Sequence, residues 1–303
     1  MKHMDKKITA IINTLNEEKN IERAIKSVKW ADEIVVCDMH SDDKTVDLAK
    51  KLGAKIVYHE RTDYVEPARN FAVSKSSGDW ILILDADEEI PTTLASRLSE
   101  IITKDESPDF VEIPRGNIIF GKQVKNSLWW PDYHPRFYKR GKVVWKNEIH
   151  AKPETRGTRL ILPAEESLAI IHHHYQTLTQ FIERMNRYTT IQANELVKDG
   201  YKFNWHDLIT KPAGEFMSRY FANRGFEDGL HGLALGLLQS FSFLVMYLKV
   251  WEIEKFQEQE IDLNDFKKES QKMGQAINYW FKYANLSKNP FKRFIQKAKN
   301  KIT

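Results

Sequence analysis

Apolar and polar positions follow two different periods along the first 90 residues. Short β-branched runs at 7–15, 33–38, 54–60 and 80–85 are each long enough for a strand. Between them, apolar residues recur every three or four positions over 16–30, 41–53 and 65–78, which predicts three helices. Strands that alternate with helices at this spacing predict a mostly parallel sheet with helices on both faces.

The rest of the chain has a different pattern. From about residue 109 to 169, glycines mix with aromatic pieces such as "LWWPDYHPRFYKRG", which predicts short antiparallel strands and loops that cover the sheet edge. A helix is predicted over 177–200, followed by a short helical hairpin, an uncharged run at 229–248 and a charged C-terminal section. We therefore expect an α/β domain over residues 1–175 and a helical region over residues 176–303.

Polar residues gather where the predicted strands end. Asn13, Asn16 and Glu17 follow the first strand, Asp38 ends the second, and Asp85 ends the fourth. Capping and turn formation would explain any one of them. Ligands of parallel α/β sheets bind beyond the carboxyl ends of the strands, so three polar strand ends at one edge predict a ligand site there.

The stretch "WILILDADEEI" carries Asp85, Asp87, Glu88 and Glu89 within five residues of each other, directly after an apolar strand. A solvated turn with helix-capping acids is one interpretation. The other is a divalent cation held by Asp85 and Asp87, with a phosphate-bearing substrate as a further ligand. Side chains two apart on an extended strand point to opposite faces, so the chain must turn at the small Ala86. Glu88 and Glu89 are interpreted as helix-start or outer-shell charges.

Composition narrows the function classes. The chain of 303 residues has a formal net charge of only +4, which gives no reason to expect nucleic acid as a partner. Its one cysteine, Cys37, lies in an apolar run and is expected to be a buried thiol in a reducing compartment. The N-terminus is a poor signal peptide, so a cytoplasmic location is expected. Neither a Walker loop nor a G-x-G-x-x-G fingerprint follows the first strand, which argues against P-loop NTPases and dinucleotide dehydrogenases.

Three segments carry a family resemblance: "TAIINTLNEEKNIERAIKSVKWADEIVVCDMHSDDKTVDLAKKLGAKIV", "EPARNFAVSKSSGDWILILDADE" and "WWPDYHPRFYKRGK". Together they resemble the inverting family 2 glycosyltransferases of GT-A fold, and more narrowly the lipopolysaccharide core β-1,4-glucosyltransferase branch. Similarity runs from about Ile8 to Trp251. The resemblance implies a Rossmann-like, mostly parallel sheet and transfer of a hexose from a nucleotide-sugar, expected to be a UDP-sugar, to a saccharide of a cell-envelope glycolipid.

The resemblance also implies roles for individual residues. Asn16, Glu17, Asp38 and Asp43 lie where the family binds the nucleotide base and ribose, and Arg69 and Asn70 lie where it helps to hold the donor. Asp85 and Asp87 match the metal-binding motif, for Mn²⁺ or Mg²⁺, and Asp85 is also counted among the donor-binding residues. His172, the first histidine of "HHH", matches a late histidine that reaches the metal or the diphosphate. On an extended strand at most His172 and His174 share a face, and a cluster of structural histidines stays an alternative.

The sequence departs from the family at two places. "DMHSDDKT" has Met39 and His40 where the family has smaller residues, which would reshape the nucleotide pocket. "NEIHAKPE" has His150–Ala151 where the branch commonly has His-Glu, so a general base at that glutamate must be replaced by another carboxylate.

An inverting transfer needs a base for the acceptor hydroxyl. Asp132 and Glu148 are the candidates, with Glu154 as a weaker third. Asp132 is preferred because its aromatic neighbours would partly desolvate it and raise its pKa. Those aromatic side chains, Trp129, Trp130 and Tyr133, could also carry an acceptor sugar or pack in the core.

The C-terminal region raises the question of a membrane. Residues 229–248 contain no Asp, Glu, Lys or Arg, but their glycines, His231 and Gln239 favour a buried or interface-lying helix over a spanning one. The last 16 residues, "KNPFKRFIQKAKNKIT", contain six Lys and Arg and no acid. This pattern suits docking on the anionic cytoplasmic face of the inner membrane, and a solvated end is the alternative.

Two other functions stay open at this point. One is transfer to a lipid phosphate or to another envelope glycan. The other is a catalytically silent protein that binds a nucleotide-sugar or serves as a membrane scaffold, because the glutamate after His150 is missing. The sugar, the acceptor, the linkage and the oligomeric state are not encoded in any motif of the chain.

Overall fold

The structure is a computed structural model that describes residues 6–62, 65–104, 106–146 and 152–284. The chain divides into two compact units. The first comprises the described residues up to Ile118 together with Pro131–His174. The second comprises Ile119–Trp130 and the described residues from Tyr175 onward.

Twelve strands occur in the described residues. They are β1 Ile8–Thr14, β2 Glu33–Asp38, β3 Lys55–Tyr58, β4 Trp80–Asp85, β5 Glu88–Glu89, β6 Phe110–Ile119, β7 Lys122–Gln123, β8 Asp132–Lys139, β9 Val143–Val144, β10 Glu154–Thr155, β11 Arg159–Ile161 and β12 Ile170–Tyr175.

Eight α-helices accompany them in the same part of the chain. They are α1 Ile21–Ser27, α2 Thr45–Lys51, α3 Glu66–Ser74, α4 Thr92–Thr103, α5 Leu178–Lys198, α6 Asp207–Phe216, α7 Leu230–Ile253 and α8 Leu263–Ala284. A π-helical turn, Met217–Ala222, continues α6, and short 3-10 helices lie at Glu166–Leu168 and Gly225–Asp228.

The main sheet runs in the order β3-β2-β1-β4-β8-β6-β12-β5. β1 is parallel to β2 and to β4, and β2 is parallel to β3, which confirms the alternation predicted from the sequence. β8 is antiparallel to both β4 and β6. The antiparallel strands expected over 109–169 are therefore present, but β6 and β8 extend the sheet where a cover over its edge was expected.

Alternating side chains of the parallel strands bury both faces of this sheet. Ile12 and Leu84 pack on one face with Ile25 of α1 and Leu98 of α4. Ile11 and Ile83 pack on the opposite face with α3. Each such buried side chain contributes about 1.5–3 kcal/mol, so a slip of register by one residue would be costly.

This packing fixes which residues meet at the carboxyl edge of the sheet. In the register of the parallel strands, Asn13 of β1 is paired with Cys37 of β2 and with Asp85 of β4. The polar strand ends of the sequence therefore lie side by side, as the ligand-site expectation required.

The second unit is helical. The helix predicted over 177–200 is α5, and the Thr177 side chain caps it by accepting from the Gln180 N–H. α7 contains the uncharged run and packs against α5 and α6. Lys249 of α7 donates from Nζ to Asn186 and to the hydroxyls of Thr189 and Thr190 on α5. This amine therefore ties the otherwise apolar α7 to its neighbour.

Candidate functional site

The acidic strand end forms a tight turn. β4 ends at Asp85, Ala86 and Asp87 form the turn, and β5 begins at Glu88. The Asp85 backbone N–H donates to Glu88 Oε2 over 2.9 Å and closes the turn. The prediction that the chain must turn at Ala86 is confirmed.

Two arginines face the Asp85 carboxylate. Arg69 Nη2 of α3 lies 3.0 and 3.1 Å from the two Asp85 oxygens, and Arg136 Nη2 of β8 lies 2.8 Å from Oδ2. Burial alone would raise the pKa of Asp85, but the charges of Arg136 and Arg69 hold the pKa well below its usual range. Asp85 is therefore an anion whose oxygens are already bound by protein donors.

Glu88 is the most buried acid of the turn. It is 0% exposed, and its Oε1 accepts from Arg136 over 3.0 Å and from Arg115 of β6 over 3.1 Å. The interpretation of Glu88 as a helix-start charge is wrong, because this residue lies in β5 and its carboxylate is part of a buried ion-pair network. Glu89 lies closer to the surface, 3.4 Å from His173 and 3.7 Å from Arg23.

A β-bulge directs Arg136 into this network. In the pairing of β6 with β8, Val111 faces Phe137 and Glu112 faces Pro135, so Arg136 is the extra residue. Bulges re-aim side chains and are common beside active sites. Sequence reasoning missed Arg115 and Arg136, since an arginine within an aromatic-rich strand gives no sign that a bulge will turn it toward an acid.

The network is balanced in charge. Arg69, Arg115 and Arg136 supply three positive charges, and Asp85, Glu88 and Asp132 supply three negative ones. Arg69 and Arg136 are therefore positive partners of Asp85 within the protein itself, and the assignment of Asp85 as a cation ligand stays a prediction.

Asp132 of β8 lies at the other end of the network. Its Oδ2 accepts from Arg115 Nε over 2.9 Å, from Arg115 Nη2 over 2.6 Å and from Asn117 Nδ2 over 3.3 Å. Its Oδ1 lies 2.9 Å from His134 Nε2. Burial would raise the pKa of Asp132, but the bond from His134 and the charge of Arg115 outweigh it and hold the pKa far below the usual value. The expectation that this pKa is raised is wrong.

Asp87 lies beside His172 of β12, with 3.5 Å between Asp87 Oδ2 and His172 Nε2. His172 Nδ1 lies 2.6 Å from Asn117 Oδ1, and because Asn117 Nδ2 faces the Asp132 carboxylate, Oδ1 must accept from the Nδ1–H of His172. In the neutral ring Nε2 then keeps its lone pair. It faces Asp87 and also His174 Nδ1, 3.1 Å away.

These two side chains fit a divalent cation. The lone pair of His172 Nε2 and a carboxylate oxygen of Asp87 are directed at one position, where a positive charge would stabilise both. The 3.5 Å separation suits two ligands that each lie about 2.0–2.2 Å from one ion. The second nitrogen of His172 is fixed by Asn117, as is usual for metal-binding histidines. Within the described ranges no group of three or more His, Cys, Asp and Glu forms a protein-only metal cluster, so the fit is to a site completed by other ligands.

The histidine run behaves as the strand geometry predicted. The rings of His172 and His174 lie 4.4 Å apart, on one side of β12. His173 lies instead against Glu89.

The expected nucleotide-binding residues join the loops after β1 and β2. Asn16, at φ +56°, accepts on Oδ1 from the Asp42 N–H. The Glu17 N–H donates to Thr45 Oγ1. Asp38 is 0% exposed and accepts from the Ser41 N–H over 2.9 Å.

Asp43 completes this arrangement. It accepts from the Glu18 and Thr45 N–H groups, and although burial opposes the shift, these bonds and that of the Thr45 hydroxyl lower the pKa of Asp43. The four residues thus hold two loops at the carboxyl edge of the sheet in fixed positions. Beside them, the ring of His40 stacks on Tyr58 at 5.6 Å.

Arg69 and Asn70 act on Trp145. Arg69 lies 4.3 Å from the centre of the Trp145 indole. Asn70 donates to the Trp145 carbonyl over 2.6 Å and accepts from its N–H over 3.0 Å, so both ends of its amide hold the backbone. Arg69 therefore links Asp85 to Trp145, and Asn70 positions the chain just before residue 147.

Asn13 is an additional polar residue of the site. It is 3% exposed, and within the described residues neither its Oδ1 nor its Nδ2 has a hydrogen-bond partner. Asn13 is the register partner of Asp85. A buried amide without partners is rare and is a feature of functional sites.

The remaining base candidates lie elsewhere. Glu148 and the His150–Ala151 pair fall outside the described residues. Glu154 is an exposed residue of β10.

The aromatic side chains beside Asp132 in the sequence have different surroundings. Tyr133 donates to the Leu162 carbonyl over 2.9 Å, whereas Trp129 packs within the second unit, where Arg219 lies 5.5 Å from its ring centre.

Comparison with known families identifies the domain in which this site lies. The sequence model of glycosyl transferase family 2 matches residues 9–157, which run from β1 to β10 and include the acidic turn. These residues form a glycosyl transferase family 2 domain.

The glycosyltransferase has similar relatives in bacteria. An uncharacterized glycosyltransferase of Rickettsia typhi is 29% identical over 259 residues, which are 82% of this chain and 88% of the relative. The lipopolysaccharide core biosynthesis glycosyltransferase LpsC of Rhizobium meliloti is 24% identical over 232 residues, 74% of this chain and 84% of the relative.

Among solved structures, glucosyl-3-phosphoglycerate synthase of Mycobacterium tuberculosis, in complex with Mn²⁺, uridine diphosphate and glucosyl-3-phosphoglycerate, has a TM-score of 0.35 and 21% identity. The likeness covers 45% of this chain and 57% of that one. The expectations of a family 2 glycosyltransferase and of a mostly parallel sheet with a helical C-terminal region are confirmed.

Proposed function

We propose that this glycosyltransferase moves a hexose, with inversion and in a divalent-cation-dependent manner, from a UDP-sugar to the saccharide of a cell-envelope glycolipid. The observation that carries the proposal is the pair Asp87 and His172, which fits a cation at the carboxyl edge of the sheet beside the arginine-bound Asp85.

In this proposal the loops after β1 and β2 bind the nucleotide. Asn16, Glu17, Asp38 and Asp43 contact the base and ribose, and the hydrogen bonds between their loops fix the pocket before the donor arrives. A pre-organised pocket binds without the entropic cost of ordering loops. Arg69, Asn70 and Asp85 hold the donor side of the pocket through their contacts with one another and with Trp145.

Asp87 and His172, with Asp85 behind them, would hold Mn²⁺ or Mg²⁺, which would stabilise the negative charge on the leaving diphosphate. Asn117 keeps the lone pair of His172 Nε2 directed at that position. The three arginines hold Asp85 and Glu88 in place, so that the turn carrying Asp87 does not move when charge develops.

The acceptor proposed is the lipopolysaccharide core. Its support is the similarity to LpsC, whose name assigns that protein to core biosynthesis. Transfer to a lipid phosphate or to another envelope glycan is the alternative enzymatic function, and a silent nucleotide-sugar-binding protein is the non-enzymatic one.

The test is a donor and acceptor panel. Purified protein is incubated with UDP- and GDP-hexoses, with Mn²⁺ or EDTA, and with truncated core glycolipid or a polyprenyl phosphate as acceptor. We expect transfer from a UDP-hexose to the core glycolipid, lost in EDTA and restored by Mn²⁺. Transfer to the polyprenyl phosphate alone would contradict the proposed acceptor. Nucleotide binding without turnover of any donor would contradict the proposed activity.

A stripe on α7 supports a peripheral location at the cytoplasmic face of the inner membrane. Leu230, Leu237, Phe241 and Leu248 are 79%, 55%, 47% and 36% exposed. At about 100° per residue their spacings of 7, 4 and 7 place them within about 20° of one line along the helix. The buried residues of α7, such as Leu235, Met246 and Val250, lie on the opposite side.

α7 is long and apolar enough to cross a membrane by length and composition, and 28% of its most apolar 18-residue window is buried. A helix with one buried face and one exposed apolar stripe suits a position in the membrane interface. The six Lys and Arg among residues 288–303 add attraction to anionic lipids, about 1 kcal/mol for each charge near the surface.

Vesicle flotation tests this location. We expect the protein to float with vesicles that contain phosphatidylglycerol and much less with phosphatidylcholine vesicles. The double change Leu237→Ser and Phe241→Ser should reduce flotation, as should removal of residues 288–303. Ile161→Ser, which alters an exposed apolar residue of β11, is the matched control. Equal flotation of all four proteins would contradict docking through α7.

A further inference from the structure

His134 is a titratable residue of the site to which the family resemblance gave no role. It lies two residues after Asp132 on β8, and its Nε2 is 2.9 Å from Asp132 Oδ1. The His134 side chain is 32% exposed, whereas that of Arg136 is 2% exposed. A ligand can therefore reach the imidazole, whereas Arg136 on the same strand is covered.

The contacts of Asp132 determine the tautomer of His134. Asp132 is held as an anion by Arg115 and Asn117, and a carboxylate only accepts hydrogen bonds. His134 Nε2 must therefore carry the proton that is donated to Asp132. In the neutral ring Nδ1 keeps a lone pair, and within the described ranges Nε2 is the ring nitrogen that makes a hydrogen bond.

The charged groups around His134 favour the neutral ring. Burial lowers the pKa of His134, Asp132 opposes this shift, and Arg115 of β6 and Arg136 of β8 add to it. A ring that is neutral at physiological pH and that has an anion behind it can take up a proton, since the anion stabilises the imidazolium that forms.

The network joins this pair to the proposed cation position. Arg115 bonds both Asp132 and Glu88, and Arg136 bonds both Glu88 and Asp85. Asn117 bonds Asp132 on one side and His172, the neighbour of Asp87, on the other. His134 is thus fixed, through two bridging side chains, relative to the groups proposed to stabilise the leaving diphosphate.

We propose that His134 is the general base of the transfer and that Asp132 is its positioning residue; this rests on the proposed function. Nδ1 takes the proton of the acceptor hydroxyl while the hydroxyl oxygen forms its bond to the anomeric carbon. The bond from that carbon to the diphosphate oxygen breaks, and its electron pair leaves with the nucleoside diphosphate. The imidazolium then returns its proton to solvent.

Asp132 itself is poorly suited to be the base. Its oxygens accept four hydrogen bonds from Arg115, Asn117 and His134, and its low pKa makes it a weak proton acceptor. The same bonds make it a good anchor for an imidazole. This assignment moves the proton-accepting role by two residues from the carboxylate preferred on the sequence alone.

The experiment compares His134→Gln, His134→Ala, Asp132→Asn and Glu148→Gln in the full chain, with His206→Gln of the second unit as the matched histidine control. Titration with UDP and Mn²⁺ measures donor binding, and kcat and KM are measured for transfer. We expect His134→Gln to lower kcat by about 10²- to 10⁴-fold. UDP affinity should stay within about twofold, because the role proposed for His134 is toward the acceptor hydroxyl and not toward the donor.

Two readouts separate a base from a structural residue. Exogenous imidazole should restore part of the kcat of His134→Ala. In the wild type, kcat/KM should fall on the acid side with a midpoint below about 6.5, the ordinary histidine value, and His134→Gln should lack this limb.

Asp132→Asn should lower kcat without a recovery at high pH. In this variant the oxygen of the new amide would turn to Arg115 and the amide NH₂ would face His134 Nε2. That contact forces the ring proton onto Nδ1 and removes the base. The acid limb of the wild type thus tests the pKa of His134, and Asp132→Asn tests its tautomer.

The outcomes are distinguishable. If His134→Gln keeps kcat within tenfold of the wild type, or if Glu148→Gln causes the large loss while both His134 variants transfer normally, the assignment of His134 is overturned and the proposed function stands. If the wild type turns over no donor, the proposed function fails and the base assignment fails with it.

Discussion

Arg136 and Glu88 are both buried, and Arg136 Nη2 donates to Glu88 Oε1 over 3.0 Å. The same nitrogen donates to Asp85 Oδ2 over 2.8 Å. Because desolvating these charges is costly, the network adds little to the net stability of the fold. Removal of one member, however, leaves an unpaired buried charge, which is strongly destabilising. The network therefore fixes the turn that carries Asp87 by making any other arrangement unfavourable.

Removal of the Glu88 carboxylate should destabilise the first unit strongly. We expect Glu88→Ala to lower the free energy of unfolding by about 3–5 kcal/mol, since Arg115 and Arg136 lose their shared partner. Glu89→Gln, the matched change one residue later at a site nearer the surface, should cost no more than about 0.5 kcal/mol. Urea unfolding followed by circular dichroism measures both, and equal losses would contradict the assigned difference between the two acids.

Acid should weaken the fold through the lowered pKa of Asp132. A carboxylate whose folded pKa is depressed stabilises the protein fully above its unfolded pKa, about 3.9, and progressively less as the pH falls toward the folded pKa. In a His134→Gln background, which removes the titration of the neighbouring imidazole, the stability difference between Asp132 and Asp132→Asn should therefore be constant from pH 7 to about pH 5 and shrink below about pH 4. Urea midpoints measured over this range test it, and a difference that grows on acidification would contradict it.

The fold was predictable where local pattern and packing agree. The β-branched runs and three-to-four-residue periods indicated β1–β4 and α1–α3 because both faces of this sheet are buried, so the pattern has to match the period of each element. The same regularity brought Asn13 and Asp85 together in register, and from that the ligand edge could be placed.

The ion-pair network was not predictable from the sequence. It depends on Arg69 of α3, Arg115 of β6 and Arg136 of β8, which are distant in the chain and meet only after a bulge re-aims Arg136. The pKa of Asp132 was misjudged for the same reason. Aromatic residues next to an aspartate in the sequence suggest that burial raises its pKa, but the guanidinium of Arg115, which lowers it, comes from another strand.

Cation binding should depend on Asp87 and His172. We expect Asp87→Asn and His172→Gln to weaken Mn²⁺ binding in the presence of UDP, and Asn117→Leu, which removes the partner of His172 Nδ1, to weaken it by roughly 10- to 100-fold. His173→Gln is the matched control, because this ring faces Glu89. Electron paramagnetic resonance of Mn²⁺ measures the free ion. Equal affinity of Asp87→Asn and His173→Gln would contradict the proposed cation position.

The thiol of Cys37 should be inert in the folded protein. Burial, with a contribution from Asp38, raises the pKa of Cys37 to about 12, and the thiolate is the reactive form. We expect no reaction with Ellman's reagent at pH 8 in buffer and one reactive thiol per chain in denaturant. Rapid labelling in buffer would show that β2 opens or that the thiol is accessible.

Asn13 and Thr14 are neighbours on β1 that differ in the face they occupy. Both are buried, and among the described residues the side-chain polar atoms of each lack a hydrogen-bond partner. Asn13 is paired in register with Asp85 and lies two residues after Ile11, on the sheet face that packs against α3. Thr14 lies two residues after Ile12, on the opposite face, which α1 and α4 cover. The pair can therefore separate stability from donor binding.

Replacement of either polar side chain should stabilise the fold, and only one replacement should affect the donor. An unsatisfied buried polar group costs about 1–3 kcal/mol, so Asn13→Leu and Thr14→Val should each raise the melting temperature by several degrees. If the amide of Asn13 is kept for the donor, Asn13→Leu should also weaken UDP binding at least tenfold in a calorimetric titration, while Thr14→Val should leave it unchanged. A lower melting temperature of Asn13→Leu would mean that the amide is satisfied in the free protein, and equal UDP affinity of the two variants would mean that Asn13 does not face the donor.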